Sequence, residues 1–509
     1  MLGATPDMCA EEMSMRTDFG NFIDGQWVDS ISGETFESRN PADRTEVLGT
    51  FARGAAADVD RAVQAAVKAY PEWMQTPAPT RADYVLRVAL LLEERKEELS
   101  EVMTREMGKT VRESRADVQE GIDFAHYMAG EGRRAMGESI PAELPNKIYM
   151  TVRHPLGVVG LITPWNFPIA IPLWKIAPAI VSGCTSVFKP AEDTPLCASL
   201  LVDMFREVGL PPGVLNLVNG FGEDAGAPLV DHPAVAAISF TGSLDVGRAI
   251  NERCARSMKR CSLELGSKNA LIVMPDAELD LAVEASAWGA FATSGQRCTA
   301  TSRLIVHDDV RSEFTERLLD RVGGMKVGNG LDPDVELAPV INEQQKNRVL
   351  EYISVGQQEG AKVLTGGEEL TGGDYANGYF LAPTVFDDMT PEMRIAKEEI
   401  FGPVTGIMKV DSVEEAIAVA NGTKYGLSCA IYTHNITNVF KAVQQLEFGV
   451  VYVNAPTIGA EIQVPFGGMK NTGNGHREAG PQAMDEFTEW KTVGIDFSGK
   501  LQRAQMDEL

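Results

Sequence analysis

What the sequence lacks above all is positive charge. Its 46 lysines and arginines stand against 72 aspartates and glutamates, a formal net charge of −26 over 509 residues. Such a surface argues against a nucleic-acid partner or an anionic membrane, and any acidic substrate would need local basic groups to be received. Cysteine is sparse: Cys9, Cys184, Cys197, Cys254, Cys261, Cys298 and Cys429 make an odd set of seven without a C-x-x-C. In a chain of this length that is a reducing-compartment pattern, so a cytoplasmic location without a disulfide framework is expected. The six histidines are scattered with no metal-ligand spacing, and no metal site is expected. The amino end has no apolar core of a signal peptide and reads as a flexible lead-in over residues 1–19. Residues 156–183 are long enough to cross a bilayer, but Pro164, Pro168, Pro172, Pro178, Asn166 and Lys175 interrupt them, so no membrane partner is expected. The final Met506-Asp-Glu-Leu509 is like an ER-retention address and, with no signal peptide to deliver the chain, is taken as coincidence.

What is present is an ordinary globular composition, 44% hydrophobic and 23% charged, in a chain too long for one core. Asn21 to Val28 reads as a hairpin turning at Asp24-Gly25. Apolar spacing predicts helices from Ala57 to Ala69, from Arg81 to Met107 and from Lys109 to about Arg134. Ile148, Met150 and Val152 then alternate with polar residues as in an exposed strand. From Gly157 onward apolar strands alternate with helices. The strands are 157–162, 185–189, 215–218, 234–240 and 260–265, and the helices 169–182, 195–208 and 243–254. A second series runs from Ala270 to Val453, a glycine-rich loop follows at 466–475, and a late strand spans 487–497. The expected fold class is α/β, with parallel sheets covered on both faces.

Sheets of this kind bind ligands beyond the carboxyl ends of their strands. Five stretches fall there: Thr163–Pro168, Lys189–Glu192, Thr241–Gly247, Leu263–Asn269 and the turn around Cys298. Gly242-Ser243 at a helix start suits a pyrophosphate, through free N–H groups and the helix dipole, although it would serve equally as a plain N-cap. Cys298 follows a predicted helix over 279–293 and precedes a strand at 303–307. Alone, a cysteine on such a turn reads first as a small, inert side chain.

Together, PWNFP, KPAE, FTGS-x-x-x-G, ELGSKN, GQRC and EEIFGPV resemble the aldehyde dehydrogenase superfamily in order and spacing, over about residues 22–497. The resemblance implies a Rossmann-like cofactor domain over 20–136 and 155–266 and an α/β catalytic domain over 267–470. It further implies an oligomerisation β-ribbon from 137–154 and 471–500, a tail at 501–509, and a homodimer or homotetramer. Cys298 would be the nucleophile, Asn166 an oxyanion donor, and Glu264 the base that activates water to hydrolyse a thioester. NAD would be the cofactor, with NADP the alternative. It would be held by Lys189 and Glu192 at the adenosine ribose, by Gly242, Ser243 and Gly247 at the pyrophosphate, and by Glu399, Phe401 and Trp165 around the nicotinamide ribose and ring. Members with Glu264 hydrolyse the acyl group rather than pass it to coenzyme A.

The substrate is left open between two classes. Arg297, in a turn resembling members that act on glutamate semialdehyde or 2-oxoglutarate semialdehyde, is the candidate for an anionic tail. Phe167, Trp174 and Phe466 would wall an apolar funnel that suits aliphatic or aromatic aldehydes. The carboxylated semialdehyde is placed first, and a catalytically silent, ligand-binding relative is the reading from another class.

Overall fold

The computed structural model describes residues 17–134 and 137–506. Most of the expected lead-in, Cys9 and the last three residues lie outside the described residues. A seven-stranded sheet forms around Val158–Ile162. Its order is Arg260–Leu265, Val235–Gly242, Val158–Ile162, Thr185–Lys189, Leu215–Leu217, then the hairpin Asn21–Ile23 and Gln26–Val28. The first five strands run parallel, Asn21–Ile23 lies antiparallel to Leu215–Leu217, and Gln26–Val28 turns back antiparallel to Asn21–Ile23. Its turn takes positive φ at Asp24 and Gly25, as a two-residue hairpin requires.

Successive side chains of a strand point to opposite faces, so a strand apolar at every position needs cover on both. Val158 and Ile162 accordingly join one core cluster, with the helix Ala56–Gln75. Val159 and Leu161 join the other, with helices Ala78–Glu94, Val111–Glu131 and Ala170–Ser182. A second seven-stranded sheet repeats this logic. Its order is Lys362–Thr365, Thr384–Asp387, Val404–Val410, Thr301–His307, Asn269–Val273, Ser428–Tyr432, Val450–Val453, with only the first strand antiparallel. Leu271 and Val273 face one cluster, Ala270 and Ile272 the other. Only Gly266, Ser267 and Lys268 separate the end of Arg260–Leu265 from the start of Asn269–Val273, so the two sheets meet beside Glu264.

The single helix expected from Arg81 to Met107 is two helices, Ala78–Glu94 and Lys96–Met107, parted at Arg95 (φ −105°, ψ 15°). No glycine or proline marks the break. Arg95 instead turns out to pair with Glu207 at 2.7 Å, and the apolar spacing continues across the joint. The late strand starts at Thr488, because Ala483–Phe487 forms a short helix before it. Thr488–Asp496 pairs along its whole length with Lys147–Pro155, which also carries Ser139–Ile140.

Candidate active site

The turn before Cys298 is built from strained backbone. The helix Leu279–Phe291 ends where Thr293, Ser294 and Gly295 take φ of 52°, 55° and 68°. Left-handed backbone at a non-glycine residue costs about 1–3 kcal/mol and persists only where the surroundings impose it. Here they do. The Thr293 N–H and hydroxyl both donate to Glu113, and the Ser294 hydroxyl donates to the Ala338 carbonyl. Gln296 donates to the Thr293 carbonyl at 3.1 Å and accepts the Ile341 N–H at 3.0 Å. A Cβ on Gly295 would lie 2.0 Å from the Gly402 carbonyl oxygen, so no larger residue fits. Cys298 emerges half-buried, and Asn269 Nδ2 holds its carbonyl at 2.7 Å and that of Ala300 at 2.9 Å.

Asn166, in the loop that follows Val158–Ile162, and Glu264, near the end of Arg260–Leu265, are both buried. Asn166 Nδ2 donates to the Gln296 carbonyl at 3.0 Å, which leaves its other N–H free, and Lys109 Nζ fixes the Asn166 carbonyl at 2.9 Å. The Cys298 N–H has no acceptor among the described residues. Neither carboxylate oxygen of Glu264 has a partner there, and the glycine-rich loop lies against it, with Gly473 bridging its backbone. A Cβ on Gly467 would come 2.6 Å from Glu264 Oε1. Burial, then Glu478 and Glu486, push the Glu264 carboxyl well above the usual carboxylate range. Burial, then Glu399, Glu264 and Glu478, likewise push the Cys298 thiol up, and Arg297 opposes them.

Of the sequence-predicted cofactor residues, Glu399 and Phe401 line the cavity beside the cysteine turn, and the others end or follow strands of the first sheet. Gly242 ends a strand, and Ser243, exposed, caps the helix Leu244–Arg256 through the Val246 N–H at 3.4 Å. Both readings of that stretch hold, since a capped helix still presents free N–H groups. A Cβ on Gly247 would meet Leu265 at 2.4 Å, so glycine lets this helix lie close on the sheet. Lys189 is buried, donating to the Pro190 carbonyl and lying 3.4 Å from Glu192. Burial lowers its pKa, and Glu192 opposes the shift. Trp165 meets Phe401 edge to face at 5.4 Å, with Phe401 at φ 62°. Glu399 accepts the Ser267 N–H at 2.9 Å, and burial raises its carboxyl to about 7. An exposed helix amino end, a carboxylate where the sheets meet and an aromatic wall fit an extended dinucleotide.

On the substrate side, Trp174 packs edge to face on Phe466 at 5.2 Å, and its indole N–H has no partner among the described residues. Phe167 lies beneath two cations, Lys109 at 4.2 Å and Arg297 at 5.0 Å. Arg297 is half-buried, donates to the Thr293 hydroxyl at 2.9 Å and sits 3.7 Å from Glu113. With Ser267, Gly295, Glu399 and Phe401 it lines a cavity beside the cysteine turn.

Sequence reasoning missed five residues. Glu113 closes a capping box with Thr110 and also anchors the cysteine turn; the Thr-x-x-Glu spacing was visible, but its second partner lies 180 residues away. Lys109, in a buried pair with Asp117 at 2.7 Å, supports Asn166. Asn269 stood in the quoted ELGSKN without a role. Lys175 was conspicuous as a lysine in an apolar helix, and it pairs with buried Glu478, which nothing in the sequence singled out. Glu478 also accepts from Thr241, the register partner of Glu264.

The model of the aldehyde dehydrogenase family matches residues 27–493. The chain is 45% identical over 475 residues to an alpha-ketoglutaric semialdehyde dehydrogenase of Bacillus subtilis, covering 93% of this chain and 97% of that one. It is 42% identical to a 2,5-dioxopentanoate dehydrogenase of Saccharolobus solfataricus, with 92% and 97% covered. Among solved structures, a betaine aldehyde dehydrogenase of Staphylococcus aureus in complex with NAD+ superposes with a TM-score of 0.94 at 35% identity, covering 96% of this chain and 97% of that one.

Proposed function

We propose, from the premise that the chain belongs to the aldehyde dehydrogenase family, that it oxidises a carboxylated semialdehyde such as 2-oxoglutarate semialdehyde to the acid with NAD. The observation that carries the chemistry is the half-buried Cys298 between Asn166, with a spare N–H, and Glu264, with an unpaired carboxylate. Arg297, the cation beside that cysteine in a chain of net charge −26, and the relatives that act on such semialdehydes support the substrate class.

The Cys298 thiol gives its proton to the free carboxylate of Glu264 or to water, its sulfur attacks the aldehyde carbon, and the carbonyl oxygen becomes an oxyanion. Asn166 Nδ2 and the Cys298 N–H point donors at it; losing one such donor typically costs about 10²–10³ in turnover. Bound NAD supplies the hydride acceptor. Lys189 and Glu192, Gly242 with Ser243 and Gly247, and Glu399 with Phe401 and Trp165 would hold that cofactor. The carboxylate of Glu192 favours NAD, since it would repel a 2′-phosphate. Once hydride has left, Cys298 carries a thioester. Glu264 takes a proton from water as its oxygen attacks the acyl carbon, the C–S bond breaks, and acid and thiol are released. A free carboxylate at Glu264 supports hydrolysis over transfer to coenzyme A.

In this reading residues 20–136 and 155–266 hold the cofactor and 267–470 carry the thiol. Residues 137–154 with 471–500 join copies into a homodimer or homotetramer in the cytoplasm. The test is a panel of aldehydes with NAD, followed by NADH absorbance. The carboxylated semialdehyde should exceed uncharged aldehydes at least tenfold in kcat/KM, and Arg297→Ala should erase that margin. Equal values would favour the broad-specificity reading, and strict dependence on coenzyme A would overturn hydrolysis.

A further inference from the structure

Strands Val235–Gly242 and Arg260–Leu265 turn two different faces to their surroundings. Phe240 and Leu263 enter the apolar core, while the opposite face carries two polar rungs, Ser239 beside Ser262 and Thr241 beside Glu264. Lys175 from the helix Ala170–Ser182, with Glu478 and Glu486, covers these rungs, and all three are buried. Glu264 and Glu478 belong to the reaction cluster described above, whereas Glu486 enters it so far only as a charge that raises the Glu264 carboxyl. Its placement is specific. Lys175 Nζ donates to Ser239 Oγ at 2.9 Å, and Ser239 Oγ donates to Glu486 Oε2 at 3.1 Å. A hydroxyl has one proton, so accepting from the ammonium orients it toward Glu486. On its other side Lys175 donates to Glu478, which also accepts from Thr241 at 3.3 Å.

We propose that Glu486 is a positioning residue for the hydrolytic step: through Ser239 it draws on the ammonium that Glu478 also uses, and its charge sets the pH at which Glu264 takes a proton from water. One ammonium cannot balance three buried carboxylates. Burial and then Glu478 raise the Glu486 carboxyl to about 8, against Lys175, Ser239 and Ser262. Ionised Glu486 in turn raises Glu264. The other titratable groups on the packed elements are Cys261 and Arg260 of the strand Arg260–Leu265, and Arg477 beside Glu478. Arg260 is engaged by the Asp485 and Thr488 carbonyls. Replacing Glu486 by a neutral isostere removes a like charge, so Glu264 should ionise more readily.

This rests on the hydrolytic mechanism above. The full-length enzyme, with NAD and its best aldehyde, is followed from pH 5 to 10, reading the first-turnover NADH burst and the steady rate separately. Glu486→Gln should move the acid limb of the steady rate down by roughly 0.5–1 unit, the size of a like-charge effect across a short gap. Ser239→Ala, which removes the donor to Glu486, should move it the same way by less, while Glu486→Asp, keeping the charge, should restore the wild-type limb. Superimposable profiles for Glu486→Gln and wild type would overturn the proposal, as would equal shifts in the Gln and Asp variants, which would mark a packing effect. A Cys298→Ala variant that keeps the wild-type NADH formation would instead sink the parent mechanism.

Discussion

At Glu264 the cost of burial outweighs every nearby cation, and in the proposed hydrolysis a base with a raised pKa accepts a proton more readily near neutrality. Glu264→Gln should keep the hydride burst and stall the steady rate, while Cys298→Ala should lose both; a Cys298→Ala variant at the wild-type rate would remove the nucleophile from the scheme. The same burial has a stability consequence. An unfolded glutamate ionises near its ordinary value, the folded Glu264 only at higher pH. Between the two the folded state keeps a proton the unfolded state has lost, so stability falls as pH rises across that window. Glu264→Gln should therefore melt above the wild type at pH 8 and together with it at pH 4, with each kcal/mol gained worth ~2–4 °C in a domain of this size. Equal melting at both pH values would show the carboxyl to be unstrained.

At the scale of elements, the cysteine turn depends on partners far along the chain: Glu113, Ala338, Ile341 and Asn269 all hold it. Gly295→Ala should be severe. It combines a left-handed φ with a Cβ 2.0 Å from backbone that cannot move aside. The expected loss exceeds about 2 kcal/mol in urea unfolding, with activity falling in parallel. A variant of wild-type stability and rate would mean the turn can relax. The strands of the first sheet were legible to within two residues, because apolar runs between helices have few other uses, whereas Thr384–Asp387 of the second sheet was not singled out. The break at Arg95 was not legible, since no glycine or proline marks it and the apolar spacing continues across the joint. Thr293 and Ser294 in left-handed backbone were equally hidden, because neither residue type favours it.

At the scale of the molecule, the antiparallel ribbon of Lys147–Pro155 and Thr488–Asp496 leaves apolar side chains in water. Ile148, Val152, Trp490 and Ile495 are all exposed. A long strand edge with such side chains invites pairing with another copy. Ile148→Lys with Val152→Lys should lower the mass seen by light scattering toward that of the single chain. An unchanged mass would put the subunit contact elsewhere.

The sequence by itself determined the class of fold and singled out Cys298, Asn166 and Glu264 as the proposed reacting trio. Strands apolar at every position require cover on both faces, and Cys298, Asn166 and Glu264 stand in strings whose order and spacing are diagnostic together. Only the tertiary structure decided how those residues are held and charged. Asn269 on the Cys298 carbonyl, Lys109 on the Asn166 carbonyl, and Lys175 among three carboxylates are contacts between residues 29 to 303 positions apart. Burial and distance set their pKa values and orientation, and neither is written in any local stretch of chain.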